Sequence, residues 1–155
     1  MIRWSHDSGV ILRFIEFMDV GETNGWNTQE VVTAKEILEI VSEQYPVEEV
    51  SATYPGEVAR RWRFLDGEGE FGTISSVSQP FCGDCSRLRV SAEGKAFTCL
   101  FASQGANLRD CLRKAGSDED VTEFVRDLWR SRKDRYSEER GEVKRPKAEM
   151  SYLGG

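Results

Sequence analysis

The sequence has a single histidine, His6, and nowhere a run of about 18 apolar residues. The missing run excludes a membrane-spanning helix from this sequence. The opening stretch, Met1 to Asp7, lacks the apolar core of a secretory signal peptide, so we expect a cytoplasmic protein with reduced cysteines. With 155 residues the chain is too short for a complete (β/α)₈ barrel, which takes roughly 200–250 residues. The net charge of −6 argues against a general nucleic-acid-binding surface.

The first third of the chain has the pattern of one β/α unit. Residues 10–17 are rich in β-forming side chains and carry apolar residues on both faces. This favours a strand buried on both faces, as in a parallel sheet. The segment from Thr33 to Glu36 is typical of a capping box and predicts a helix that ends before Pro46.

The rest of the chain predicts short hairpins followed by two helices, so we expect an α/β fold. Turn-rich sequences separate the β-like segments, and Asn107 and Ser117 are suitable helix N-caps. The predicted hairpin strands are residues 58–64 with 71–77 and residues 87–91 with 95–100, and the predicted helices are residues 108–115 and 117–133.

Three cysteines form the most informative pattern, Cys82-x2-Cys85-x13-Cys99. Two cysteines in a tight turn can direct both sulfurs at one metal, and a third after a predicted hairpin can close the site. Soft thiolate ligands suit zinc and iron–sulfur clusters about equally well on spacing alone. The fourth cysteine, Cys111, falls on the apolar face of a predicted helix and is better explained as a core thiol. The lone His6 is remote in sequence, and we interpret it as a surface residue.

Two arginines, Arg87 and Arg89, follow directly after the cysteine pair. On a strand they would point to the same face. Two guanidinium groups beside a metal would bind a phosphate or carboxylate through paired charge-assisted hydrogen bonds, and the alternative is two solvated strand charges.

At these residues the sequence resembles the C-terminal part of the GTP 3′,8-cyclase family, also called molybdenum cofactor biosynthesis protein A, of the radical S-adenosylmethionine enzymes. The resemblance extends over nearly the whole chain and combines several motifs that are weak individually. They are residues 13–21 with Trp26, residues 57–59, 69–76, 81–89, 99–102 and 134–137, and the ending from Met150 to Gly155.

The resemblance implies an incomplete β/α barrel that carries two 4Fe–4S clusters. The N-terminal cluster cleaves S-adenosylmethionine to a radical that takes the ribose 3′ hydrogen of GTP, and C3′ then attacks C8 of guanine. The C-terminal cluster has three cysteine ligands and binds the purine through its open iron. GTP and S-adenosylmethionine are the implied partners, without nucleic acid or membrane. A homodimer and hand-over to the next enzyme of molybdenum cofactor synthesis are further expectations.

The resemblance also assigns roles to individual residues. The cluster ligands match Cys82, Cys85 and Cys99. The GTP-binding arginines match Arg87 and Arg89 with Leu88 between them, and the methionine that contacts S-adenosylmethionine matches Met18. A role in catalysis falls to Arg13, on a late barrel strand, and to Gly154 and Gly155. From the residues alone, Met18 could equally fill a core, Arg13 could pair with Glu16, and the two terminal glycines could be a frayed end.

One motif of the family is absent, the N-terminal Cys-x3-Cys-x2-Cys. We therefore expect the C-terminal piece of such an enzyme, inactive alone, with residues 1–50 as the last β/α unit of the barrel, 51–133 as the cluster domain and 134–155 as an extended tail. A zinc-binding interaction module without catalysis is the alternative. A small sulfur carrier, indicated by the Gly-Gly ending, fits the chain length and the cysteine site poorly.

Overall fold

The protein has a mixed α/β fold with four α-helices in the part described by a computed structural model, which is residues 1–67, 69–142 and 146–153. None of the helices in these ranges is long and apolar enough to cross a membrane. The helices are α1 Ile2–Ser8, α2 Ala34–Ser42, α3 Leu108–Lys114 and α4 Asp118–Arg130, with 3₁₀ turns at Thr28–Glu30 and Met150–Leu153. The strands are β1 Leu12–Ile15, β2 Val47–Val50, β3 Arg60–Phe64, β4 Glu70–Ile74, β5 Arg89–Val90, β6 Lys95–Phe97 and β7 Ala106–Asn107.

The chain divides into two compact units. The first contains Met1–Met18 and Trp26–Cys85, and the second contains Asp19–Gly25 and the residues from Ser86 onward. The short excursion of Asp19–Gly25 into the second unit brings this loop, which follows β1, together with residues more than 100 positions away in sequence.

The first unit is a four-stranded sheet in the order β1-β4-β3-β2. β1 pairs with β4 in parallel, and the other two pairs are antiparallel. The core is Val41 of α2 with Phe64 and Phe71 of the sheet, and Leu12 and Phe14 of β1 pack against it. Helix α2 therefore covers one face of the sheet, the face that bears Leu12, Phe14 and Phe71.

The other face of β1 is exposed, which corrects the expectation of a strand buried on both faces. Arg13 and Ile15 alternate with the half-buried Leu12 and Phe14, and Ile15 is 55% exposed. Parallel pairing does occur, but α2 covers a single face. The apolar residues on both faces of β1 therefore did not predict its burial correctly, because burial depends on what packs against each face.

The second unit contains the three-stranded antiparallel sheet β5-β6-β7, with Ala96 and Phe97 buried at its centre. Two N-caps predicted from the sequence are confirmed here. Asn107 accepts a hydrogen bond from the Asp110 amide, and Ser117 forms a capping box with Asp120.

Most of the predicted elements are confirmed, with shorter bounds. The capping box of α2 forms between Thr33 and Glu36, and the helix ends at Ser42. The hairpin expected over residues 58–77 is β3 with β4. Three of the helices and strands were missed: α1, β2 and β7. Helix α1 has no side-chain cap, β2 has the glutamates Glu48 and Glu49 at its centre, and β7 has only two residues.

Candidate functional site

Cys82 and Cys85 lie in one tight turn at the end of the first unit. The Asp84 amide donates to the Phe81 carbonyl at 3.2 Å, and the Cys85 amide donates to the Cys82 carbonyl at 3.4 Å. A Cβ at Gly83 would meet no atom within 4 Å, so a side chain at this position has space. Both cysteines are half-buried. The turn thus brings two thiols into one short segment, as the spacing predicts.

Cys99 belongs to the second unit, where it follows β6. The Phe101 amide donates a hydrogen bond to the Cys99 Sγ at 3.4 Å. Cys99 also lines a cavity of about 220 Å³. The other lining residues of this cavity are Phe101, Ala102, Ser103, Gln104, Asp134, Tyr136 and Pro146. An amide directed at a sulfur and an adjacent space are two features that suit a thiolate ligand.

Arg87 lies before the strand that was predicted to carry both arginines. β5 begins only at Arg89, so Arg87 and Arg89 do not share a strand that would point them to the same face. Arg87 is exposed, while Leu88 and Arg89 are half-buried. The three residues follow directly after the cysteine turn in sequence.

The remaining cysteine, Cys111, lies on α3 and is half-buried rather than fully buried. The next residue, Leu112, is apolar and yet 57% exposed. The apolar face of α3 is therefore narrower than the sequence indicated.

His6 is not the surface residue that its isolation suggested. Its side chain is 15% exposed and lies against Tyr45 and Phe64, with ring centroids 4.8 and 4.9 Å away. Its Nε2 is 2.5 Å from Asp66 Oδ2, and its Nδ1 is 3.1 Å from Asp7. Hydrogen bonds to Asp7 and Asp66 raise the pKa of His6.

Arg13 lies on the sheet face opposite α2. Gly72 is its partner on β4, and Arg61 of β3 pairs with the same glycine from the other side. A Cβ at Gly72 would come within 2.8 Å of Arg13 Nη1, so the missing side chain makes room for the guanidinium group. Arg61 is held by Glu70 through two hydrogen bonds of 3.1 and 2.6 Å. Two cationic side chains thus flank Gly72, the exposed Arg13 and the half-buried Arg61.

Met18, the last residue of the first of the two segments that form the first unit, is half-buried. The two terminal glycines to which the resemblance assigns a role, Gly154 and Gly155, lie outside the described residues.

Glu16 is a buried carboxylate that does not pair with Arg13. It is 2% exposed, and its oxygens accept hydrogen bonds from the amides of Ala34, Val77 and Ser78 at 2.7–2.8 Å and from the Ser78 hydroxyl at 2.5 Å. Burial acts to raise the pKa of Glu16, but these hydrogen bonds outweigh it and hold the pKa below its usual value. Glu16 therefore ties the end of β1 to the start of α2 and to the segment after β4.

A second buried carboxylate, Asp19, organises the second unit. It accepts from the Tyr136 hydroxyl at 2.5 Å, from Arg140 Nε at 2.9 Å and from Lys147 Nζ at 2.8 Å. Lys147 Nζ also donates to the Asp19 carbonyl at 2.7 Å. The ring of Tyr136 stacks on Phe101 with centroids 4.4 Å apart. We call these five residues the Asp19 cluster. None of the five has a role predicted from the sequence, although Asp19, Phe101 and Tyr136 lie inside the motifs of the resemblance.

The charges of the Asp19 cluster stabilise one another. Burial acts to raise the pKa of Asp19, yet the hydrogen bonds from Lys147, Tyr136 and Arg140 hold it below its usual value. Burial acts to lower the pKa of Lys147, and Asp19 overcomes that effect and raises it. Both groups are therefore ionised around neutral pH, with only 9% of the Asp19 side chain and 13% of the Lys147 side chain exposed.

The donor chemistry of the three predicted ligands fits a thiolate-bound metal centre. Cys82 and Cys85 share a turn, and Cys99 receives an amide hydrogen bond beside a cavity. Within residues 1–67, 69–142 and 146–153, no three or more His, Cys, Asp or Glu side chains are gathered as a metal site. The ligand set thus rests on donor chemistry and spacing.

Comparison with known proteins gives a consistent result. Residues 10–138 match the model of a protein family described as Molybdenum Cofactor Synthesis C. The chain is similar to proteins named GTP 3′,8-cyclase. It is 47% identical to one from Synechococcus sp. (strain CC9902) over 100% of the chain, and 44% identical to one from Acidothermus cellulolyticus over 98%. It is 48% identical to one from Xanthomonas campestris pv. campestris (strain B100) over 96%.

The chain spans about half the length of the curated relatives it matches. The matched part is 46% of the Synechococcus protein, 49% of the Acidothermus protein and 44% of the Xanthomonas protein. It corresponds to a C-terminal part of these relatives.

Proposed function

Because the chain belongs to the Molybdenum Cofactor Synthesis C family, we propose that it supplies the C-terminal part of a GTP 3′,8-cyclase. The observation that carries this proposal is the 44–48% identity to proteins of that name over 96% or more of the chain. The proposed reaction converts GTP to 3′,8-cyclo-7,8-dihydro-GTP in molybdenum cofactor biosynthesis.

The proposed cofactor of these residues is a 4Fe–4S cluster bound by Cys82, Cys85 and Cys99. A cluster with three protein ligands supplies an open iron position for a small molecule, here the purine of GTP. The protein contributes three thiolates, and the Phe101 amide donates to one of them. Hydrogen bonds to cluster sulfurs help to set the reduction potential.

The proposed GTP-binding residues are Arg87, Leu88 and Arg89, directly after the cysteine turn. Guanidinium groups bind phosphate through charge-assisted hydrogen bonds. Their position next to the proposed cluster ligands in sequence supports a shared site for the base and the phosphates.

Arg13 and Met18 are proposed to face the reaction site of an incomplete β/α barrel. Support comes from the parallel pairing of β1 with β4 and from α2, which packs on the opposite side of β1 from Arg13. In a β/α barrel the helices cover the outside of the strands, so the side of β1 that bears Arg13 corresponds to the interior. Met18 follows the carboxyl end of β1, where barrel enzymes bind substrates and cofactors, here S-adenosylmethionine.

The Cys-x3-Cys-x2-Cys motif of the radical S-adenosylmethionine family occurs nowhere in the 155 residues. We propose that the residues of the second cluster, which cleaves S-adenosylmethionine, lie in the half of such an enzyme that this chain does not match. Gly154 and Gly155 keep their proposed role in catalysis, and homodimerisation and hand-over to the next pathway enzyme remain proposals.

Anaerobic reconstitution of the 155-residue chain with iron and sulfide tests the cluster. We expect about four irons and four labile sulfides per chain, with visible absorbance. Replacing Cys82, Cys85 or Cys99 by Ser should abolish this absorbance, whereas the matched variant Cys111→Ser should keep it. Bound zinc without labile sulfide would favour the zinc module instead, and equal loss in all four variants would indicate four cysteine ligands.

Titration of the reconstituted chain with GTP tests the substrate. Binding should alter the electron paramagnetic resonance spectrum of the reduced cluster. Each of Arg87→Ala and Arg89→Ala should weaken GTP binding about tenfold, since each removes charge-assisted hydrogen bonds. The exposed Arg113→Ala on α3 is the matched control and should bind GTP like the unaltered chain. If all three variants bind GTP with equal affinity, Arg87 and Arg89 do not contribute to GTP binding.

A further inference from the structure

The Asp19 cluster is connected to Cys99 through one residue, Phe101. The backbone of Phe101 donates to the Cys99 sulfur at 3.4 Å, and its ring stacks on Tyr136 at 4.4 Å. The Tyr136 hydroxyl in turn donates to Asp19 at 2.5 Å. The same rings that wall the cavity at Cys99 are therefore anchored by a buried carboxylate.

Two cations of the Asp19 cluster lie against the rings of Phe101 and Tyr136. Arg140 Cζ is 5.7 Å from the ring centroid of Phe101, and Lys147 Nζ is 5.8 Å from it and 4.8 Å from that of Tyr136. Their side chains are only 11% and 13% exposed. Buried charges are screened by solvent much less than surface charges, so their field reaches nearby groups at greater strength.

We propose that Lys147 and Asp19 are positioning residues that set the reduction potential of a cluster bound through Cys99, an inference that rests on the proposed function. They act in two ways. Together they fix Tyr136 and Phe101, and hence the amide that donates to the Cys99 sulfur. Their charges also act directly on the proposed 4Fe–4S cluster. Reduction adds a negative charge to it, which a nearby cation stabilises and a nearby carboxylate destabilises.

The charge contribution predicts shifts of opposite sign for two substitutions. Lys147→Met removes a cation and should lower the reduction potential. Asp19→Asn removes an anion of similar size and should raise it. A merely structural role would loosen the same contacts in both variants and would shift the potential in the same direction.

A redox titration of the reconstituted 155-residue chain, followed by electron paramagnetic resonance, measures these potentials. Lys147→Arg retains the charge and should keep the potential of the unaltered chain. Lys114→Met removes an exposed lysine at the end of α3 and should also leave it unchanged. If the Asp19→Asn variant does not take up the 4Fe–4S cluster, the inference is tested by comparing the reduction potentials of Lys147→Met and Lys147→Arg.

The outcomes separate this inference from the proposed function. An unaltered chain that takes up no iron and sulfide would overturn the proposed function and remove the inference with it. A loaded chain whose potential is the same in Lys147→Met, or shifts in the same direction in Lys147→Met and Asp19→Asn, would overturn the inference alone. Loaded variants with shifts of opposite sign would support both.

Discussion

At the scale of single residues, the two buried carboxylates have different partners. Glu16 is surrounded by backbone amides and one hydroxyl, whereas Asp19 is surrounded by two cations and a phenol. Backbone amides fix the chain at several points without adding charge. Glu16 is therefore best explained as a structural tie, and Asp19 as the centre of an electrostatic cluster.

Glu16→Gln should destabilise the protein by about 1–3 kcal/mol. In either orientation the NH2 group of the glutamine meets a backbone N–H, because Ala34 donates to Oε1 of Glu16 and Val77 and Ser78 donate to Oε2. At least one backbone donor therefore loses its acceptor. Urea unfolding followed by circular dichroism measures the change. The exposed Glu49→Gln on β2 is the matched control, and its stability should stay within about 0.5 kcal/mol of the unaltered chain. Equal unfolding midpoints for the two variants would contradict the role of Glu16.

At the scale of elements, the loop of residues 19–25 is held by the segment of residues 146–153. Glu149 accepts from the Glu22 amide at 2.9 Å and from the Thr23 hydroxyl at 3.1 Å. Gly21 has a φ of +66°, and a Cβ there would lie 2.2 Å from Glu149 Oε2. This glycine is therefore required twice, once by its backbone conformation and once by the carboxylate that lies against it.

Gly21→Ala should be more destabilising than Gly25→Ala, although both glycines have nearly the same positive φ. A Cβ added at Gly25 meets nothing within 4 Å. Gly25→Ala should therefore cost only about 1–2 kcal/mol of unfolding free energy, the penalty for alanine at a positive φ. Gly21→Ala should carry the same backbone penalty and should also break the hydrogen bonds of Glu149, because the glutamate side chain must move away from the new Cβ. Thermal unfolding gives the stabilities, and hydrogen exchange at residues 146–153 shows whether the segment is released.

Glu149→Ala provides the check on this explanation. In a Glu149→Ala background the difference between the two alanine variants should disappear, since the clash no longer exists. A difference that persists would mean that Glu149 is not its cause.

At the scale of the whole molecule, the ionisation of His6 makes stability depend on pH. The folded protein raises the pKa of His6 through Asp7 and Asp66, so it favours the protonated form. The stabilisation is fully present below the unfolded pKa of about 6.5 and is lost as pH rises through the higher folded-state pKa. Asp66→Asn should therefore be more destabilising at about pH 5.5 than at about pH 8.5.

Urea unfolding at the two pH values measures this effect. The exposed Asp118→Asn on α4 is the control and should show no such difference between the pH values. A penalty for Asp66→Asn that is equal at both pH values would show that the ion pair with His6 adds nothing.

The sequence identified the family and the local structure well. The motifs around Cys82 to Arg89 and at Cys99 indicated the GTP 3′,8-cyclase resemblance, and the match to the Molybdenum Cofactor Synthesis C family confirms it. The caps at Thr33, Asn107 and Ser117 were predicted because they involve residues three positions apart. The ligand roles of the cysteines and arginines stay predictions.

The sequence by itself thus determined what depends on neighbours along the chain: the turn that carries two cysteines, the capped starts of α2, α3 and α4, and the membership of a family. The tertiary structure alone decided that Asp19 meets Tyr136 and Lys147, more than 100 residues away, and that one face of β1 is exposed. No local pattern encodes such contacts. Their formation depends on the folded chain closing long loops and burying charges only where hydrogen-bond donors or a partner of opposite sign satisfy them.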